Sequence, residues 1–428
     1  MNTLTRMVTA AAAAALTVAA LLAQGVQPAA AIDQFAQLQQ GLRGSHGDAS
    51  AYLALSKTMY AFLNGSPRAT LQLMSAQAAS DPDDALRSFA QFVAMGQSSE
   101  EVFKSKSFDP LRALPKYQQI HADMSANTAR QTSASEAFAL QPTAQVPEDI
   151  DFDAPSKLFY VSTVLGRQIL QVDLSGRAKL FASAPDQWPM MALKVDSKRR
   201  VLWATEVAID GFASAPKEDW GRSAILQFDL RSGRLLHRIE GPPKAALGDM
   251  ALSRDGDVLV SDGEHGGVYL VDRSSLAVKR IDGGEFVSPQ TPAALPDGKH
   301  ILVPDYVRGI GVLDLETKQV VWMPTEGKHA LSGIDGLYAV GNLLLATQNG
   351  ASPERVVRFT LNDSKTGVVA EDILERATPT LGDPTHGVVV GNDFYYIANS
   401  GWDALDDHGH LLKGKELPTA RVMRTKII

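Results

Sequence analysis

From residue 146 onward one phrase recurs six times, and this repeat restricts the fold more than any other feature of the chain. Its most regular part is an alternating strand: RQILQVDL from Arg167, SAILQFDL from Ser223, GGVYLVDR from Gly266, RGIGVLDL from Arg308, RVVRFTLN from Arg355 and ARVMRTKI from Ala420. Successive copies start 56, 43, 42, 47 and 65 residues apart. Ahead of each lies a more apolar strand that ends in a small polar cluster (158–163, 201–206, 258–262, 301–305, 343–349 and 394–399), and ahead of that a short strand introduced by Pro, Gly or Asp. A blade of three or four short strands cannot bury both of its faces alone. Units of this length must therefore stack radially, which predicts a mainly β chain with a six-bladed β-propeller over residues 146–428.

That geometry selects candidate residues. In a propeller blade the innermost strand starts on the face of the disc to which the second strand returns, so both segments surround one mouth of the central channel. Aligning the units puts Glu148, Met191, Gly248, Gln290, Asp335 and His386 at the inner-strand starts, and Thr163, Glu206, Asp262, Asp305, Asn349 and Asn399 at the second-strand ends. Carboxylates, amides and an imidazole around one mouth are donors that a hard divalent cation accepts. The same residues also suit a polar channel end that only binds water. Glu148 and Asp335 are the sharpest pair, because two carboxylates converging on a narrow channel repel unless a cation or a proton lies between them. His386 reads either as a ligand or general base, or as a channel histidine satisfied by its neighbours. Two insertions project from the same face: 207–222, with Phe212, Trp220 and Arg222, and 400–419, with Trp402. Their aromatics either wall a substrate or pin the loops. The Asp406–His410 stretch reads as an exposed turn.

The first 145 residues are different. Residues 1–31 have Arg6, an apolar run from Met7 to Ala23 and Pro28 ahead of three alanines, the pattern of a cleaved signal peptide. The expected mature chain is exported, periplasmic or secreted, and without a membrane insertion. Over residues 32–127 the apolar spacing is helical: Tyr52, Leu55, Met59, Phe62 and Leu63 make one stripe, Gly65 to Pro67 stops it, and Pro82 recurs as Pro115, 33 residues on. A helix-turn-helix unit of nearly this period resembles the tetratricopeptide repeat, which implies a small helical domain serving as scaffold, cap or protein-binding groove. Residues 128–145, rich in Ser, Thr, Ala and Gln, read as a linker.

Composition narrows the chemistry. The 428 residues contain no cysteine, which excludes thiolate nucleophiles, thiolate metal sites and covalent c-type haem. A net charge of −7 argues against nucleic acid as a partner. The sequence has no G-x-S-x-G elbow, H-E-x-x-H helix or phosphate loop.

The phrases VPEDIDFD at Val146, SPQTPAALPDGKHILVPDY at Ser288 and GIDGLY at Gly333 resemble those of the SMP-30/gluconolactonase/LRE-like propellers. The resemblance implies a divalent cation at the channel mouth, calcium in the first place, with magnesium, manganese or zinc as alternatives, polarising the carbonyl of a lactone or similar small ester. Glu148 and Asp335 fall on the family's acidic ligands. Gln290 falls on one expected Asn, and Gly248, with no side chain to offer, on another. The expectation is a lactonase-type hydrolase with Glu148, Gln290 and Asp335 holding the metal, His386 and Asp305 assisting water attack, and Trp220, Arg222, Asn349, Asn399 and Trp402 contacting a lactone or sugar derivative. The altered Gly248 and Gln290 favour the rival expectation, a non-catalytic binding or scaffold protein whose propeller and helical domain each hold a partner.

Overall fold

The computed structural model describes residues 30–141 and 145–428, so the apolar run from Met7 to Ala23, expected to belong to a signal peptide, lies outside the described residues. Six antiparallel sheets follow one another around a ring. Blades 1 to 5 span residues 147–183, 190–240, 247–280, 293–322 and 336–376, each running from inner to outer strand in chain order. Blade 6 takes three strands from residues 387–426, and its outermost strand is Ser135–Ala139, paired antiparallel with Arg421–Lys426. The six phrases recognised in the sequence are the third strands of the six blades.

Blade 6 corrects the linker expectation. Within 128–145 the small polar residues conceal an alternation in which Phe138 and Leu140 point inward and are buried. The Phe138 ring tilts onto Phe159 of blade 1 at 5.2 Å. Gln131–Thr132 adds a short fifth strand to the edge of blade 5. The stretch thus belongs to the ring, where it supplies an outer strand that the C-terminal segment does not.

Apolar seams between blades form the core. Leu302 and Ile310 of blade 4 meet Leu337, Leu344 and Phe359 of blade 5, and Tyr160 and Ile169 of blade 1 meet Leu193, Leu202 and Leu226 of blade 2. Each such side chain contributes roughly 1.5–3 kcal/mol on burial. Near the channel mouth the seams also carry a polar stitch. A hydroxyl near the end of the polar-ended second strand donates to a carbonyl of the next blade: Thr205 Oγ1 to Gly248 O at 3.1 Å and Ser261 Oγ to Gln290 O at 2.9 Å. Ser162 and Thr347 make the same bond to the Met191 and Thr385 carbonyls.

Seven α-helices are found among the described residues: α1 (Ala31–Gly44), α2 (Ala49–Phe62), α3 (Pro67–Gln77), α4 (Pro82–Ala94), α5 (Glu100–Phe103), α6 (Asp109–Arg112) and α7 (Pro115–Ala126). Pro67, Pro82 and Pro115 each open a helix, where the missing N–H costs nothing. The helices dock on blades 4 and 5. The Arg308 guanidinium lies between the rings of Phe62 (4.4 Å) and Trp322 (4.2 Å), and its Nε donates to the Phe62 carbonyl at 3.1 Å. Asn64 donates back to the Arg308 carbonyl at 3.0 Å. Arg355, fully buried, donates to Gln348 Oε1 at 2.7 Å and to the Met95 carbonyl at 3.3 Å. Both arginines stand where a second strand has returned to the mouth face, so the helical layer covers that face beside the channel.

The closing strand sets a stability test. Phe138→Ala should lower the unfolding free energy in urea by about 3–4 kcal/mol. Val321→Ala, on the exposed outer strand of blade 4, should stay within about 0.5 kcal/mol of the parent.

Candidate active site at the channel mouth

The inner strands of blades 1, 2 and 3 are irregular where they begin, with register shifts between Pro147 and Ile150, Met190 and Leu193, and Leu247 and Asp249. A bulge breaks the in-out alternation and re-aims side chains. In blade 1 it sends Glu148 to the mouth, while the Asp149 carboxylate is used internally, accepting from Leu193 N at 2.8 Å and Lys194 Nζ at 2.5 Å. In blade 3 it brings Asp249 to the mouth beside Gly248. The sequence alignment missed Asp249 because it assumed strict alternation. An Asp directly after a glycine at the aligned position was the available clue.

The mouth opens into a cavity of about 270 Å³ lined by Glu148, Asp249, Glu264, Gln290, Asp335 and Trp402, among others. Glu148, Asp335 and His386, all buried, each offer an atom within 4.8 Å of the others. His386 Nδ1 lies 2.9 Å from the Glu148 carbonyl oxygen, which can only accept, so Nδ1 carries a proton. Nε2 faces Asp249 Oδ1 at 2.7 Å. The Trp402 indole donates to Glu148 Oε2 at 2.6 Å. Asn349 donates to Asp335 Oδ2 at 3.0 Å and accepts from the Tyr306 hydroxyl at 3.0 Å. Gln290 donates through its amide nitrogen to the Ser288 carbonyl and hydroxyl, both at 3.2 Å.

Burial governs the electrostatics. It pushes the Glu148 carboxyl well above the usual carboxylate range; His386 and the Trp402 hydrogen bond oppose the shift, and Asp335 and Asp249 add to it. Asp335 is pushed up to about 7, again by burial first, with Asp249 and Asp383 adding and His386 and Asn349 opposing. Burial alone would lower His386, but the carboxylates of Asp335, Asp149 and Asp249 outweigh it and hold the imidazole protonated well above its ordinary value. Asp149 is answered by Lys194, so Glu148, Asp249 and Asp335 face one imidazole at the mouth, and burial and mutual repulsion favour protons on Glu148 and Asp335. The oxygen-rich donor set fits a hard cation such as Ca²⁺.

The inner-strand candidates therefore converge, and four of the others do not. Asp305 is fully buried with its carboxylate saturated: Oδ2 accepts from Val287 N and Ser288 N, Oδ1 from Val307 N and Arg308 N, at 2.6–3.1 Å. It fixes two loops and has no oxygen left to assist a water. Strand alternation explains this. The Asp305 side chain turns to the loops, whereas its successor Tyr306 and the equivalent Asn349 turn toward Asp335, and a slip of one residue exchanges the faces. Trp220 donates to the Ala215 carbonyl and packs with Trp188, just ahead of the inner strand of blade 2. Arg222 is held by Asp219 and Glu240. Asn399 ties Thr419 O and Arg421 N at the base of the last loop. These three shape the loops and do not line the cavity. Both loops nevertheless reach the mouth. Phe212 meets Trp402 edge-on at 6.0 Å, and His408 Nδ1 lies 2.9 Å from the Gly211 carbonyl, so the blade 2 and blade 6 insertions join over blade 1. The Asp406–His410 stretch is a turn, with Asp406 accepting from His408 N and His410 N.

No protein-family model matches the sequence, and no curated protein matches it. Similar solved structures include a gluconolactonase from Xanthomonas campestris, at 14% identity and TM-score 0.46 over 70% of this chain and 92% of that one. An aldose sugar dehydrogenase from Streptomyces coelicolor in its PQQ-bound form is similar at 14% identity and TM-score 0.45, over 69% and 99%. Virginiamycin B lyase from Staphylococcus aureus gives the same identity, TM-score and coverage. The likeness extends to the fold alone.

The raised Asp335 carboxyl has a measurable consequence in the cation-free protein. The native state holds this proton at pH values where the unfolded chain has lost it, so its stabilising effect is complete below about pH 4 and disappears as pH rises through about 7. The melting temperature of Asp335→Asn should therefore gain on the parent between pH 4 and pH 8. A difference that stays flat across this window would contradict the assignment.

Proposed function

We propose that the channel mouth is the active site of an exported hydrolase that opens lactones or similar small esters with the help of a divalent cation. The observation that carries this reading is the buried convergence of Glu148, Asp335 and His386 within 4.8 Å. Glu148 and Asp335 would hold the cation, calcium in the first place, with the Gln290 amide within reach through its oxygen. When bound, the cation would polarise the substrate carbonyl.

The remaining chemistry belongs to the chain. A cation on Glu148 and Asp335 would cancel the Asp335 part of the field that keeps His386 protonated, leaving that of Asp149 and Asp249. In its neutral form His386 would take a proton from the attacking water at Nε2, while the Glu148 carbonyl keeps Nδ1–H in place and Asp249, beside Nε2, steadies the resulting imidazolium. Water adds to the acyl carbon, the acyl C–O bond breaks, and the proton on Nε2 passes to the leaving oxygen. Trp402 and the joined loops over blade 1 exclude solvent on one side. The acidic lining suits neutral or cationic substrates.

The test is hydrolysis of gluconolactone and of simple aryl esters by chelator-treated and calcium- or manganese-supplemented protein. Glu148→Ala and Asp335→Ala should each lower kcat/KM by about 10²-fold or more and abolish calcium binding by calorimetry, with the propeller still folded. His386→Ala should spare calcium binding and lose turnover. Full activity in the presence of chelator, lost in His386→Ala, would replace this reading with cation-free acid-base catalysis by the His386–Asp249 pair. Absence of turnover and of calcium binding would leave a binding protein.

A further inference from the structure

A second hollow, of about 220 Å³, lies in the helical layer where α1, α2 and α3 meet. Gln39 and Arg43 of α1 and Arg68 and Gln72 of α3 line it, each pair four residues apart and so on one side of its helix. Phe35 and Tyr52 supply an apolar wall, and among the described residues no acidic side chain lines the hollow. The arginines set this place apart. Arg87 and Arg112, elsewhere in the same layer, are each paired with an aspartate three residues earlier. Among the described residues Arg43 and Arg68 make no hydrogen bond and no ion pair. Two unpaired guanidinium groups beside an aromatic wall, in a chain of net charge −7, are an unfilled complement for negative charge.

We propose that this hollow is a binding site for a small organic carboxylate, with the acid group on Arg43 and Arg68 and an aliphatic or aromatic body against Phe35 and Tyr52. The planar fork of arginine matches a carboxylate in two parallel hydrogen bonds, and the glutamine amides add neutral donors beside it. Such a ligand is distinct from any substrate of the channel mouth, whose carboxylates repel anions.

Calorimetric titration of the full chain with 4-phenylbutyrate and with 4-phenylbutylamine tests the proposal. The carboxylate should bind with Kd below about 1 mM and the amine at least about tenfold more weakly. The double variant Arg43→Gln/Arg68→Gln should weaken carboxylate binding by about tenfold or more. Both residues are exposed, so circular dichroism and melting temperature should not change; should the double variant misfold, the two single variants are read instead. Glu148→Gln/Asp335→Asn should leave carboxylate binding unaltered, which separates this site from the mouth whatever the mouth proves to do. Equal binding of the amine, undiminished affinity in folded arginine variants, or a parent protein that does not bind the carboxylate below about 1 mM overturns the proposal.

Discussion

Each blade has two apolar faces and can cover neither by itself, and everything else in the molecule follows from that. The seams between neighbours bury Leu, Ile, Val and aromatic side chains from both blades, so no blade is stable alone and the set must close on itself. Closure fixes the six inner strands around one axis. It is this convergence, and not a local motif, that brings Glu148, Asp335 and His386 together from blades 1, 5 and 6. The nearest pair in the chain, Asp335 and His386, are 51 residues apart.

The polar stitches near the mouth refine what the apolar seams begin. Ser162, Thr205, Ser261 and Thr347 each tether a backbone carbonyl at or next to a mouth residue of the following blade. The site is thereby referenced to its neighbours at several points around the ring. On its outer side the mouth is flanked by two kinds of structure, the joined loops over blade 1 and the helical layer over blades 4 and 5. Arg308 connects the second of these to the site, because it follows Tyr306 by two residues, and Tyr306 reaches Asp335 through Asn349.

The repeat made the ring and its blade order legible, since strand alternation and turn spacing are local properties. It also placed Glu148, Gln290, Asp335 and His386 at the mouth, because inner-strand starts share one geometry. Several features escaped. Asp305 was misread because a single-residue slip in register turns a side chain from the channel to the loops, and the strand pattern does not fix that register at the strand end. Asp249 was missed because bulges obey no alternation. The closing strand was hidden for a different reason: its partner, Arg421–Lys426, lies some 285 residues away, and a short Ser- and Ala-rich segment carries little strand pattern of its own. Trp220, Arg222 and Asn399 had suitable chemistry, but their neighbours within the loops use it.

The closing strand has a consequence for how the protein comes into being. Ser135–Ala139 leaves the ribosome some 285 residues before its partner, so the edge it will cover and the apolar side of Phe138 stay open over that whole interval. The helices, whose partners among themselves are close in sequence, can pack long before. The ring is thus sealed in one late step, and the interval before it is when the nascent chain is most exposed to strand exchange with another copy.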